Sequence, residues 1–241
     1  VRLVLWTTLI LILAPAALIT LIEWNGTLAG LSPFDRGMNG LFQSITLRTA
    51  GFNSIDLARV QPATWTLMVI VMFIGGSPGS TAGGAKTTTM AVLLLAVIAA
   101  VRGRAEVEAF GRQLPVATVL RATAVTTLGV LGSAGALMAL QLTQDIPLDV
   151  ALFEVVSAMA TVILSTGGTA MLDEVGKVLV MAFMFAGRVG PLTLFLILIE
   201  RQRPSKVRFA EEAAAELSTL RDSESKRMLV EIARFVIARD A

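Results

Sequence analysis

Hydrophobic residues in this chain come in long runs, and the polar residues between them are bunched rather than spread. Residues 3–22 form an apolar stretch of the length a helix needs to cross a bilayer, with Pro15 inside it as an expected kink. Residues 116–142 form another, rich in Gly, Ala and Thr, which allow close helix packing. Residues 62–101 read as a crossing interrupted by a polar stretch, and residues 175–199 as a fourth crossing that contains GRVGP. Two mixed regions, 25–62 and 145–174, each hold an apolar piece followed by a cluster of Thr and Gly. Each piece is roughly 12 to 14 residues, too short to span and suited to a re-entrant helix. The plan of helix, re-entrant helix, loop and helix therefore occurs twice.

The interruption, GGSPGSTAGGAKTTT at residues 75–89, is the most informative segment. Unpaired backbone groups in hydrocarbon cost several kcal/mol each, so such a stretch is tolerated only inside protein or along water. A cation at that depth, here Lys86, marks an aqueous path. A phosphate-binding loop is excluded by spacing, because Ala85 separates Gly84 from Lys86. The segment reads instead as a mobile barrier across a pore. Arg188 in the fourth crossing needs a partner, and carbonyls of the glycine-rich loop are the expected one.

Charge sets the orientation. Arg102, Arg104, Arg112 and Arg121 cluster at one connector, and Arg201, Arg203, Lys206 and Arg208 follow the fourth crossing. The positive-inside rule places both groups, and both termini, in the cytoplasm. Asp145, Asp149, Glu154, Asp173 and Glu174 put the second mixed region outside. Of 241 residues 55% are hydrophobic and 16% charged, with no Cys, His or Tyr. Disulfides, thiolate or imidazole metal sites, and His-dependent nucleophilic catalysis are excluded. The chain opens without Met on a full-length span, so it is expected to begin inside a longer protein.

The Thr and Gly clusters carry the candidate chemistry. Backbone oxygens turned toward an axis can replace the hydration shell of a cation. Thr49, Ala50, Gly51 and Phe52 form the first cluster, with Gly51 free to adopt angles closed to other residues. Thr161, Val162, Ile163, Leu164 and Ser165 form the second. Ile163 stands where a glycine is expected, and a β-branched residue is ill suited to positive φ, so either the backbone differs there or it is strained.

FQSITLRTAGFNSID, MFIGGSPGSTAGGAKTTT, FEVVSAMATVILSTGGT and FMFAGRVGPLTL together resemble the Trk/Ktr/HKT superfamily of potassium transporters, most closely its KtrB/TrkH-type pore subunits. The resemblance covers residues 1 to about 209. It implies an all-α integral membrane fold, with two helix–pore loop–helix repeats making half of a pseudo-fourfold pore and four crossings. Residues 1–113 would be the third repeat, 114–209 the fourth, and 210–241 a cytoplasmic helical tail. It implies that Thr49 to Phe52 and Thr161 to Ser165 line a selectivity filter that holds K⁺ by backbone alone. It assigns gating to Gly75, Gly76, Ser77, Pro78, Gly79, Ser80, Thr81, Ala82, Gly83, Gly84 and Lys86, restrained by Arg188. Implied partners are the N-terminal half of the pore, a second copy in a homodimer, a cytosolic ring of nucleotide-binding regulatory subunits, and membrane lipid, with no nucleic acid and no covalent cofactor. The implied location is the cell membrane, multi-pass. The family's fourth filter normally reads Thr-Val-Gly-Leu-Ser, so Ile163 puts potassium-over-sodium discrimination in question. Other classes to separate are a Na⁺-permeable transporter, a non-conducting scaffold, and a membrane enzyme. The last has no visible intramembrane acid pair to use.

Overall fold

The computed structural model describes residues 2–78, 82–104 and 106–190, together with 228, 229 and 231. The tail, residues 191–208 and residues 79–81 of the glycine-rich loop lie outside the described residues but for those three tail positions. Two long apolar helices stand where the runs place them: α1 at Arg2–Ile22 and, later in the chain, a 28-residue helix at Val116–Thr143. By length and composition both are able to cross a bilayer. Pro15 is accommodated within α1, which runs through it.

Helix α2 (Pro33–Thr46) starts where Ser32 Oγ accepts the Asp35 N–H at 3.2 Å, with Pro33 at the first helical position. The interrupted apolar run at residues 62–101 appears as α3 (Pro62–Phe73) and α4 (Thr87–Val101). Each spans about 18 to 23 Å at the rise of an α-helix, short of a bilayer core. The polar connector is not featureless: β1 (Glu108–Ala109) and β2 (Arg112–Gln113) form a small antiparallel hairpin. Helix α5 is the span at Val116–Thr143, followed by α6 (Leu148–Met159), the one-turn α7 (Gly168–Met171) and α8 (Glu174–Val189). The order α1, α2, α3 is thus repeated as α5, α6, α8.

Burial ties the repeats together. Ile19, Leu28, Leu47, Met68, Phe153 and Val162, all fully buried, share one apolar cluster that draws on α1, α3 and α6. Trp65 and Phe153 meet at 6.3 Å between ring centroids. A second cluster around Leu140, Ala151 and Val155 joins α5 to α6. Outward-facing Leu5, Trp6, Leu94, Val130 and Phe185 are exposed, as lipid-facing positions are.

One buried carboxylate staples the first repeat. Glu23, at 0% exposure, accepts from Gln61 N at 2.8 Å, Thr64 Oγ1 at 2.7 Å, Thr27 N at 3.1 Å and Thr27 Oγ1 at 3.0 Å. These bonds join the end of α1 to the start of α3. They meet the requirement that a buried charge be fully hydrogen-bonded.

Candidate functional site

Each of the short helices α2 and α6 leads into a non-helical segment, and the two segments share a backbone signature. In the first, Thr49 and Gly51 have φ of 71° and 81°, with Ala50 between them outside that region. In the second, Thr161 and Ile163 have φ of 57° and 73°, with Val162 between them outside it. Left-handed residues at alternate positions break the strand-like alternation of peptide planes, so that neighbouring backbone dipoles can converge. The C-terminal ends of α2 and α6, where helix dipoles favour cations, lead into these segments at Leu47 and Ala160. The segments also approach each other: a Cβ on Gly51 would lie 2.9 Å from the Val162 carbonyl oxygen and 3.3 Å from Ile163 Cβ.

Of the two outcomes open to Ile163, the structure takes the strained one. A β-branched residue at φ 73° is a true outlier, costing about 1–3 kcal/mol. Its neighbours explain how it persists. Val162 and Leu164, 0% and 3% exposed, are anchored in the core on either side, while the Ile163 side chain is 66% exposed. An apolar helix end with a glycine stop is not what forms here, because α6 finishes at Met159.

The glycine-rich loop folds back between α3 and α4. Its ends are joined by Ala85 N–H to Phe73 O and Thr87 N–H to Gly76 O, both at 3.2 Å. Gly75 and Gly83 pack backbone to backbone, since a Cβ on Gly75 would overlap the Gly83 carbonyl oxygen. The Gly83 N–H donates to Thr161 Oγ1 at 3.1 Å. The loop therefore touches the first residue of the second extended segment. Ser77 Oγ lies 3.2 Å from Thr8 Oγ1 on α1. Lys86 Nζ donates to the Ala82 carbonyl, within its own loop. Arg188, in the last turn of α8, lies close enough to Lys86 for the two cations to repel. Gly187 beside it sits on the end of α6, where a Cβ would overlap the Met159 carbonyl oxygen.

Two supporting groups escape a reading by motif. Thr46 Oγ1 donates to the Phe52 carbonyl and accepts the Phe52 N–H at 2.9 Å, closing the first segment on its own helix. Glu154, counted from the sequence as an outer-face charge, is instead 4% exposed in mid-α6. It accepts from Ser165 Oγ, from Thr169 N at 3.2 Å and from Thr169 Oγ1 at 2.8 Å. The signal was an acid in the middle of the apolar helix LDVALFEVVSAM, past the first turn where Asp149 sits.

Two repeats of long helix, short helix and helix, meeting at the paired non-helical segments, define a fold shared with membrane transporters. The potassium transporter TrkH from Vibrio parahaemolyticus has a similar structure, with TM-score 0.69 at 22% identity, over 80% of this chain and 43% of that one. The chain belongs to the TrkH family, described as cation transport protein, whose family model matches residues 1–207. It is 35% identical to Ktr system potassium uptake protein B of Bacillus subtilis (strain 168), over 87% of this chain and 47% of that protein. It is 37% identical to potassium/sodium uptake protein NtpJ of Enterococcus hirae, over 86% and 47% respectively. The chain spans about half the length of these curated relatives.

Proposed function

We propose that this chain is half of a membrane pore that carries K⁺, with residues 1–113 and 114–209 as two of its four repeats. Thr49 to Phe52 and Thr161 to Ser165 act as the filter, offering carbonyl oxygens in place of the ion's hydration shell. The carrying observation is the matched pair of left-handed residues in both segments, Thr49 with Gly51 and Thr161 with Ile163. Residues 75–84 with Lys86 act as the gate, and Arg188 restrains it. The hydrogen bond from Gly83 to Thr161 supports this, because it couples gate to filter directly. The other half of the pore, a second copy of the assembled subunit, and a cytosolic nucleotide-binding ring complete the working transporter in the cell membrane. The ring opens the gate by pulling on cytoplasmic helix ends.

The test is potassium-limited growth, with rubidium uptake, of uptake-deficient cells that express this chain within its complete transporter. Growth and uptake support the reading; their absence at normal membrane abundance rejects both conduction readings and leaves a scaffold. Shortening residues 79–84 raises flux and weakens its dependence on the regulatory ring; unchanged or lower flux in an inserted protein rejects the gate. A second reading, a Na⁺-permeable member of poor selectivity, is favoured by Ile163 at a strained filter position and by the similarity to a potassium/sodium uptake protein.

A further inference from the structure

We propose that Glu154 is a positioning residue that sets the ion discrimination of the second filter segment, by holding closed the backbone that Ile163 strains. The inference rests on the conduction reading above and adds to it a residue outside the filter.

The bonds form a closed ring. Helix α6 supplies Glu154 in its middle and the extended segment at its end. Ser165, the last residue of that segment, returns to Glu154 through its hydroxyl, which donates to Oε1. Thr169 adds its N–H on Oε1 and its hydroxyl on Oε2. Ser165 Oγ in turn accepts the Gly167 N–H at 3.0 Å. A carboxylate at 4% exposure with charge-assisted bonds of this kind resists displacement far better than a neutral acceptor at the surface. Ile163 lies two residues before Ser165, between anchored Val162 and Leu164. Its backbone would relax if the downstream end of the segment were free to turn, and the carboxylate fixes that end.

The first repeat supplies the contrast. Seven residues before Thr161 stands Glu154; seven before Thr49 stands Phe42, 43% exposed and with no acceptor to offer. There the position of Ile163 is taken by Gly51, which needs no forcing, Thr49 matches Thr161 as a β-branched residue at positive φ, and closure is left to Thr46 on the Phe52 backbone. The carboxylate clamp occurs in the repeat whose second left-handed position is the β-branched Ile163, and not in the one where that position is glycine.

The experiment measures rubidium uptake and its inhibition by sodium for wild type, E154Q, I163G and the double variant, each within the complete transporter and at measured membrane abundance. E154Q is expected to lower the rubidium-over-sodium preference about tenfold, the size of one lost charge-assisted hydrogen bond. In the I163G background the same substitution should change it less than about twofold, because the strain is gone. If E154Q does not accumulate, S165A removes the other end of the bond and should reproduce the loss of preference. An unchanged ion preference in E154Q or S165A overturns the proposal while leaving conduction intact. So does an equal loss in both backgrounds, which marks Glu154 as a fold element alone. A wild type that takes up neither ion rejects the conduction reading itself, and the proposal with it.

Discussion

Gln61 and Asp173 occupy the same place in the two repeats, at the N-cap positions of α3 and α8, and each donates its backbone N–H to a side chain at the end of the preceding long helix. Gln61 donates to Glu23 Oε1 at 2.8 Å, and Asp173 donates to Gln144 Oε1 at 3.1 Å. Acid and amide have changed places: the acid sits after the long helix in the first repeat and at the cap in the second. Each pair needs one acceptor facing one backbone donor, and either order supplies it.

The two orders differ in depth, and so in what they contribute. Glu23 is fully buried with four donors around it, and replacing it by alanine leaves those donors without an acceptor. Glu23→Ala is expected to cost about 2–4 kcal/mol, and Glu23→Gln less than half of that. Thermal melting in detergent measures both.

Asp173 is exposed, and its part depends on pH. The Gly176 N–H first, and then the Gln144 amide, hold its carboxyl below the usual carboxylate range. A carboxylate whose pKa is depressed by folding stabilises the fold above its unfolded pKa, about 3.9, and loses that contribution as pH falls through the folded value. Asp173→Asn therefore removes a contribution that is present at neutral pH and is lost on the acid side. Melting of the two proteins between pH 3 and pH 7, about the range in which carboxylates titrate, should show a shallower acid slope for the variant.

Gly83 lies against Thr161 and Ala160, and an added Cβ would overlap Thr161 Oγ1 and sit 2.8 Å from the Ala160 carbonyl oxygen. Gly83→Ala should push the loop off Thr161 while leaving every residue of the proposed filter unsubstituted. The expected result is higher rubidium flux with protein abundance unchanged. Thr161→Val removes the same hydrogen bond from the other side and should act in the same direction.

Ile163→Gly tests the strain directly. Removing a β-branched side chain from φ 73° relieves about 1–3 kcal/mol, less the roughly 0.5–1 kcal/mol that glycine loses in chain entropy. Melting temperature should hold or rise, and preference for rubidium over sodium should increase. Equal preference in the two proteins rejects a link between this residue and selectivity.

The long helices and the interruption of the apolar run at residues 62–101 were legible because lipid demands unbroken apolar runs and punishes exposed backbone. The two extended segments were legible as Thr and Gly clusters after short helices. Glu154 was not, because an acid near other acids reads as a solvated face, and its partners Ser165 and Thr169 lie 11 and 15 residues on, past a reversal of the chain. The φ of Ile163 was not settled either, since local preference argues against it and only the buried neighbours on both sides impose it. The hairpin at residues 108–113 was hidden in a short polar connector, too brief for periodicity to register.

The joined ends of the glycine-rich loop have a mechanical result. With Ala85 fastened to Phe73 and Thr87 to Gly76, the end of α3 and the start of α4 are pinned to each other at the base of the loop. A gate of the kind proposed above would feel a displacement of α4 through these two bonds.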